Sequence, residues 1–114
     1  MIGGIDSNEW LHDQTIGFDL ETEKLFYEST ESITLPKLNN PKDQTTSIVV
    51  DNTIYCFFGK KKNDNAWPPF KFCTEIEWWK IPTKGIGEEK FELLEIKWDE
   101  KIDKVLSPCI ISNN

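Results

Sequence analysis

A single histidine, His12, and three cysteines are all that this 114-residue chain offers to imidazole or soft-metal chemistry. Cys56, Cys73 and Cys109 lie far apart in sequence, so there is no CxxC pair and no zinc-ligand spacing, and neither metal nor cofactor is expected. No apolar run approaches the ~20 residues that cross a bilayer. An apolar export segment near the amino end and an Asn-x-Ser/Thr sequon are both missing. With an odd number of cysteines, these absences point to a reducing compartment, the cytoplasm. Positive charge is the minority sign, since 13 basic against 20 acidic side chains leave a net charge of −7. Such a field repels phosphate backbones and anionic lipid, which sets nucleic acid and membrane surfaces aside as partners. Helical patterning is scarce. Only EEKFELLEI (88–96) has a spacing that suits helical turns, and its alternation of Phe91, Leu93 and Glu95 against Glu92, Leu94 and Ile96 favours a strand.

What the chain does have is buryable surface. Hydrophobic residues make up 38% of it and include five Trp, two Tyr and seven Phe, a composition that folds, at a length that suits one domain. Strand signals recur at short intervals in TIGFDL (15–20), KLFYES (24–29), SIVV (47–50), TIYCFF (53–58), KFCTEIEWWKI (71–81) and SPCII (107–111). Turn-forming clusters such as Asn39-Asn40-Pro41 and Asn63-Asp64-Asn65 separate them, and Asp51-Asn52 has the residue types of a tight hairpin turn. The run Lys60-Lys61-Lys62 is the one basic cluster and is expected to be a solvated hairpin tip.

The signals also repeat in order. Gly3-Gly4 corresponds to Phe58-Gly59, each pair preceded by a large apolar residue, Ile2 or Phe57. Ile16 and Phe18 correspond to Ile76 and Trp78, Phe26 to Phe91, and SIVVDN (47–52) to PCIISN (108–113). On these residues the chain resembles kelch repeats, in which an apolar strand and turn lead to a strand ending in Gly-Gly, then to a third strand and an aromatic-led fourth. The best match is IGFDLETEKLFY followed by ITLPKL.

The resemblance covers nearly the whole chain and implies an all-β fold of antiparallel four-stranded β-propeller blades, incomplete at about two blades. Residues 1–38 would be the latter part of a first blade, 45–104 a second, and 105–114 the first strand of a third. The chain opens like the tail of a second strand and closes like a first, so the remaining blades are expected in a longer chain or from self-association. Departures from the family pattern are Phe58 in place of the first glycine, Phe26 and Phe91 in place of tryptophan, and an enlarged 60–72 loop carrying Trp67-Pro68-Pro69-Phe70. The glycines are expected to take positive φ where backbones approach closely, and Phe58 to crowd that position. Expected burial, in two four-stranded groups, covers Ile16, Phe18, Ile48, Val50, Ile54, Cys56, Ile76, Trp78, Ile110 and the Trp98 region. Trp78 and Trp79 point opposite ways, so one of them belongs to the core.

No residue set compels a reaction. His12 and Asp13 are neighbours in sequence, which in a strand or loop usually points them apart. The carboxylates of Glu21, Glu23, Glu88, Glu89, Asp99 and Glu100 fall in turns or at strand ends, and buried cysteines act as small apolar residues. What remains are the loops between second and third strands, with Trp10, His12, Lys61, Trp67 and Phe70 as candidate contacts for a protein partner. Kelch resemblance implies a scaffold or adaptor more often than an enzyme. The alternatives are a fragment of a propeller oxidase, which needs a convergent set of histidines, tyrosines and cysteine, and a small free-standing β-sandwich.

Overall fold

The computed structural model describes residues 1–8, 10–63 and 67–94. The expected strand at 107–111, and with it Ile110, Trp98 and Cys109, lies outside these. Among the described residues there is no helix, and hence none long and apolar enough to cross a membrane. In chain order the strands are β1 (Gly17–Asp19), β2 (Lys24–Phe26), β3 (Lys42–Asp43), β4 (Thr46–Val50), β5 (Thr53–Phe57), β6 (Lys60–Lys62), β7 (Phe70–Phe72), β8 (Ile76–Lys80) and β9 (Glu92–Leu94). They form three antiparallel sheets: β1-β2, β3-β6-β7 and β4-β5-β8-β9.

The four-stranded sheet starts from a tight hairpin. Val50 faces Thr53 across Asp51 and Asn52, whose φ values of 48° and 60° match the twist that flanking strands require of a two-residue turn. Alternation then sorts the side chains. The cross-strand pairs Ile54↔Trp79 and Cys56↔Glu77 share one face. Leu38, Cys56, Trp79 and Phe91 form the core on that side, with Ile2, Ile54 and Ile81 packed against it. The Trp79 and Phe91 rings lie 6.4 Å apart between centroids, and the Trp79 indole N–H donates to the Glu88 carbonyl at 2.7 Å, so the buried ring leaves no orphan donor. Burial of Phe91 or Leu38 contributes roughly 1.5–3 kcal/mol each.

The opposite face presents Ile48, Val50, Tyr55, Phe57 and Trp78, all half-buried. Trp79 thus takes the core place expected of Trp78, while Cys56 and Ile76 are buried as expected and Ile16 and Ile54 reach only half-burial. Phe18, expected inside, is 52% exposed. The register also corrects the expected correspondence between the two units. Ile2 bridges Thr15, whereas its counterpart Phe57 faces Ile76, so Thr15 and not Ile16 corresponds to Ile76, and Phe18 corresponds to Trp79. A one-residue slip moves every side chain to the other face. By the same register Phe26, opposite Gly17, corresponds to Glu92, one position after Phe91. Among the described residues the first group is also not four-stranded: it is the β1-β2 ribbon, to which residues 1–3 add through Ile2↔Thr15 and the bond from Ile16 N–H to the Met1 carbonyl at 2.8 Å.

Lys60–Lys62 is not a loop tip. As β6 it is the central strand of the third sheet, with Lys42↔Lys61 on one side and Lys61↔Lys71 on the other. The expected 71–81 strand accordingly divides, since β7 pairs with β6 and β8 with β5. The two turns matched in sequence also match in backbone. Gly3 and Gly4 have φ of 70° and 122°, and Phe58 and Gly59 have 58° and 114°. Both turns abut β3: a Cβ on Gly3 would stand 2.6 Å from the Lys42 carbonyl oxygen, and one on Gly59 2.7 Å from that of Asp43. Buried Phe58 therefore adopts a conformation suited to glycine.

Candidate functional site

The first expected loop is organised by a residue that the sequence did not single out. Asp6 Oδ1 accepts the backbone N–H groups of Asn8 and Trp10 at 2.9 and 3.1 Å, and Asp6 Oδ2 lies 2.9 Å from His12 Nε2. An Asx turn of this kind is local and has the side chain replace a backbone acceptor. His12 pairs with Asp6 and not with Asp13, and Ile5↔Leu11 closes the loop below. The hydrogen bonds from Trp10 first, and from His12, hold the Asp6 carboxyl below its ordinary value.

The second loop is the β6–β7 hairpin. Its end is tied by Asn63, whose backbone N–H donates to the Pro69 carbonyl and whose Nδ2 donates to that of Pro68, both at 2.8 Å. Lys60 Nζ sits 5.0 Å from the centre of the Phe70 ring, within cation–π reach. Trp10 and Leu11 of the first loop, Pro41 ahead of β3, and Lys61, Phe70 and Lys71 of the hairpin wall a cleft of about 600 Å³. Of the five candidate contacts, Trp10, Lys61 and Phe70 meet there. His12 stands behind the first loop as its brace, and Trp67, 88% exposed, lies outside the lining.

Behind the hairpin lies a buried charge network. Lys42, Lys61 and Lys71 are directly opposite one another across β3, β6 and β7, an arrangement of like charges that is unfavourable unless neutralised. Glu75 and Glu77 neutralise Lys42 and Lys61, while Lys71 is exposed and forms no ion pair among the described residues. Lys42 Nζ is 2.5 Å from Glu77 Oε2 and 3.3 Å from Glu75 Oε1, and Lys61 Nζ is 3.2 Å from that same Glu75 oxygen. Glu77 Oε1 in turn accepts from the Asn39 backbone N–H at 2.6 Å and from Asn39 Nδ2 at 2.9 Å. Asn40 Nδ2 donates to Glu75 Oε1 at 3.1 Å. Burial draws the Lys42 pKa down, but the hydrogen bond and charge of Glu77 outweigh it and leave the amine above its ordinary value. Burial works on Glu75 too, yet Lys42 and Lys61 hold its carboxyl below the usual range.

The thiols are unsuited to nucleophilic work. Cys56 and Cys73 are buried and unpaired, and burial, with Glu77 adding to it, pushes Cys56 up to about 12. Glu21, Glu23, Glu88 and Glu89 are exposed, and Asp99 and Glu100 lie outside the described residues. No group of three His, Cys, Asp or Glu side chains among the described residues is placed to hold a metal ion. Compared with protein-family models, with curated proteins and with solved structures, the chain matches none.

Proposed function

We propose that the chain is a non-catalytic protein-interaction module of the cytoplasm, built from kelch-like blades and binding a protein partner through the loops at one end of its sheets. The supporting observation is the cleft, in which Trp10 meets Lys61 and Phe70 although they are distant in sequence. Exposed aromatic anchors on a rigid sheet scaffold suit an interface. The blade reading is supported by the matched φ values of Gly3-Gly4 and Phe58-Gly59. It is supported again by the layer around Ile2, which turns toward the core the face that in the second unit carries Tyr55, Phe57 and Trp78.

The test is a pull-down with mass spectrometry, run in parallel with the native chain and a Trp10→Ala/Phe70→Ala variant. A partner that binds the native chain and loses about 2 kcal/mol or more of affinity to the folded variant is the expected result. Equal recovery by both proteins would move the interaction away from the cleft, and turnover of a substrate by the purified chain would overturn the non-catalytic reading.

A further inference from the structure

We infer that the cleft between Trp10 and Phe70 recognises an acidic peptide segment, with an apolar side chain seated between the two rings and carboxylates directed at Lys62 and Lys71. The inference rests on the protein-binding reading and names the chemistry of its partner. The described lining of the cleft has a charge opposite to that of the molecule. The chain carries −7, yet Lys61, Lys62 and Lys71 all line this one cavity, and no described lining residue bears a carboxylate.

The three amines are not equivalent. Lys61 is held by Glu75 at 3.2 Å, so its charge is already shared. Lys62 and Lys71 are exposed and form no ion pair among the described residues, so no described carboxylate offsets these two positive charges at the rim. A focused field of the minority sign draws in a ligand of the majority sign and rejects basic segments. Trp10 is 68% exposed, and with Phe70 it supplies apolar contact at small entropic cost, while Pro41 and Pro69 stiffen the walls. A volume of about 600 Å³ lies in the range that holds small ligands. The cleft is however open to solvent, and Asn8, Asn40 and the lysines alternate with its apolar residues, which suits a protein segment better than an enclosed small molecule.

The experiment uses the native chain, panned against a phage library of random dodecapeptides. The most enriched peptide is then synthesised with a fluorescein label and titrated beside a labelled twelve-nucleotide oligothymidylate. The expected result is enrichment of Asp- and Glu-rich sequences that carry an apolar residue. Binding should weaken about tenfold or more in Lys62→Glu/Lys71→Glu and fall as salt rises. Both positions lie outside the Glu75 and Glu77 network, and an unchanged melting temperature confirms that the variant is folded. Neutral or basic sequences that lose binding in Trp10→Ala/Phe70→Ala would overturn the acidic class and leave the protein-binding reading standing. A library that enriches nothing would overturn both. Oligothymidylate bound as tightly as the peptide, with the same lysine dependence, would replace the peptide by another polyanion.

Discussion

Lys42 Nζ stands 2.5 Å from Glu77 Oε2, and both side chains are closed off from solvent. A buried pair of this kind is costly to break and cheap to replace, because its Coulomb energy is spent largely on desolvation. Glu77→Leu alone leaves the buried Lys42 ammonium with only the more distant Glu75 carboxylate, at 3.3 Å, and is expected to cost about 3 kcal/mol. Lys42→Met combined with Glu77→Leu removes both charges and should return to within about 2 kcal/mol of the native chain. Urea unfolding of the three proteins checks this. A double variant as unstable as the single one would show that Asn39, which donates to Glu77 Oε1, or the lysine row across β3 and β6 depends on the carboxylate itself.

Stability should form a plateau with two edges set by different groups. Glu75 is held below its ordinary 4.5, so its contribution is complete above that value and is lost as pH falls through the lower folded one. Cys56 runs the other way. Its thiol is raised from 9.0 to about 12, so its contribution is complete below pH 9.0 and is lost as pH rises toward 12. Lys42, raised above 10.5, adds to the loss beyond that point. Urea midpoints measured across pH should therefore fall at both ends, with Glu75→Gln flattening the acid limb and Cys56→Ala the alkaline one. A midpoint that already drops between about pH 6 and 8 would show that other groups set the edges.

The paired turns allow strain and close approach to be separated. Gly4 has φ of 122° but nothing within 4 Å of a Cβ, whereas Gly59, at 114°, would place its Cβ 2.7 Å from the Asp43 carbonyl oxygen and 2.9 Å from Thr45 Cγ2. Gly4→Ala should cost only the conformational term, about 1–3 kcal/mol, and Gly59→Ala measurably more. Phe58→Gly relieves the left-handed backbone and removes a buried ring, and the ring dominates, with a loss of about 2 kcal/mol or more. Thermal melts of the three variants give the order directly.

The strands and turns were legible in the sequence because alternation and turn chemistry are local. SIVV, Asp51-Asn52 and TIYCF form a hairpin across the expected turn, and the Gly3-Gly4 match to Phe58-Gly59 recurs as matching φ values. Which of Trp78 and Trp79 faces the core was not legible, because adjacent strand residues alternate and the phase is set by the pairing with β5, which puts Trp79 beside Ile54 on the core side. Nothing in the sequence singled out Lys42 and Glu77, since a lysine is almost never fully buried unless paired and the partner sits on a remote strand. The cleft was half legible. Aromatic and lysine residues in two loops marked Trp10, Lys61 and Phe70, but the Asp6 brace and the conversion of Lys60–Lys62 into a strand depend on contacts that composition does not encode.

The last prediction concerns the half-buried face of β4-β5-β8-β9. In the second unit the core-side face is covered by the layer around Ile2, and that layer covers it with the face equivalent to Tyr55, Phe57 and Trp78. On the proposed blade reading, the Trp78 face is the surface that covers a further sheet of the same kind, just as exposed Phe18 and Leu25 mark the surface that such a sheet would cover. Head-to-tail association of two such faces is heterologous and closes only as a ring. At micromolar concentration the isolated chain should therefore run above 13.3 kDa by size-exclusion chromatography with light scattering. Tyr55→Glu/Trp78→Glu should shift it to the monomer while keeping the β-type circular dichroism spectrum. A native chain that is monomeric, unfolds cooperatively and binds no hydrophobic dye would contradict the blade reading and favour a free-standing sandwich.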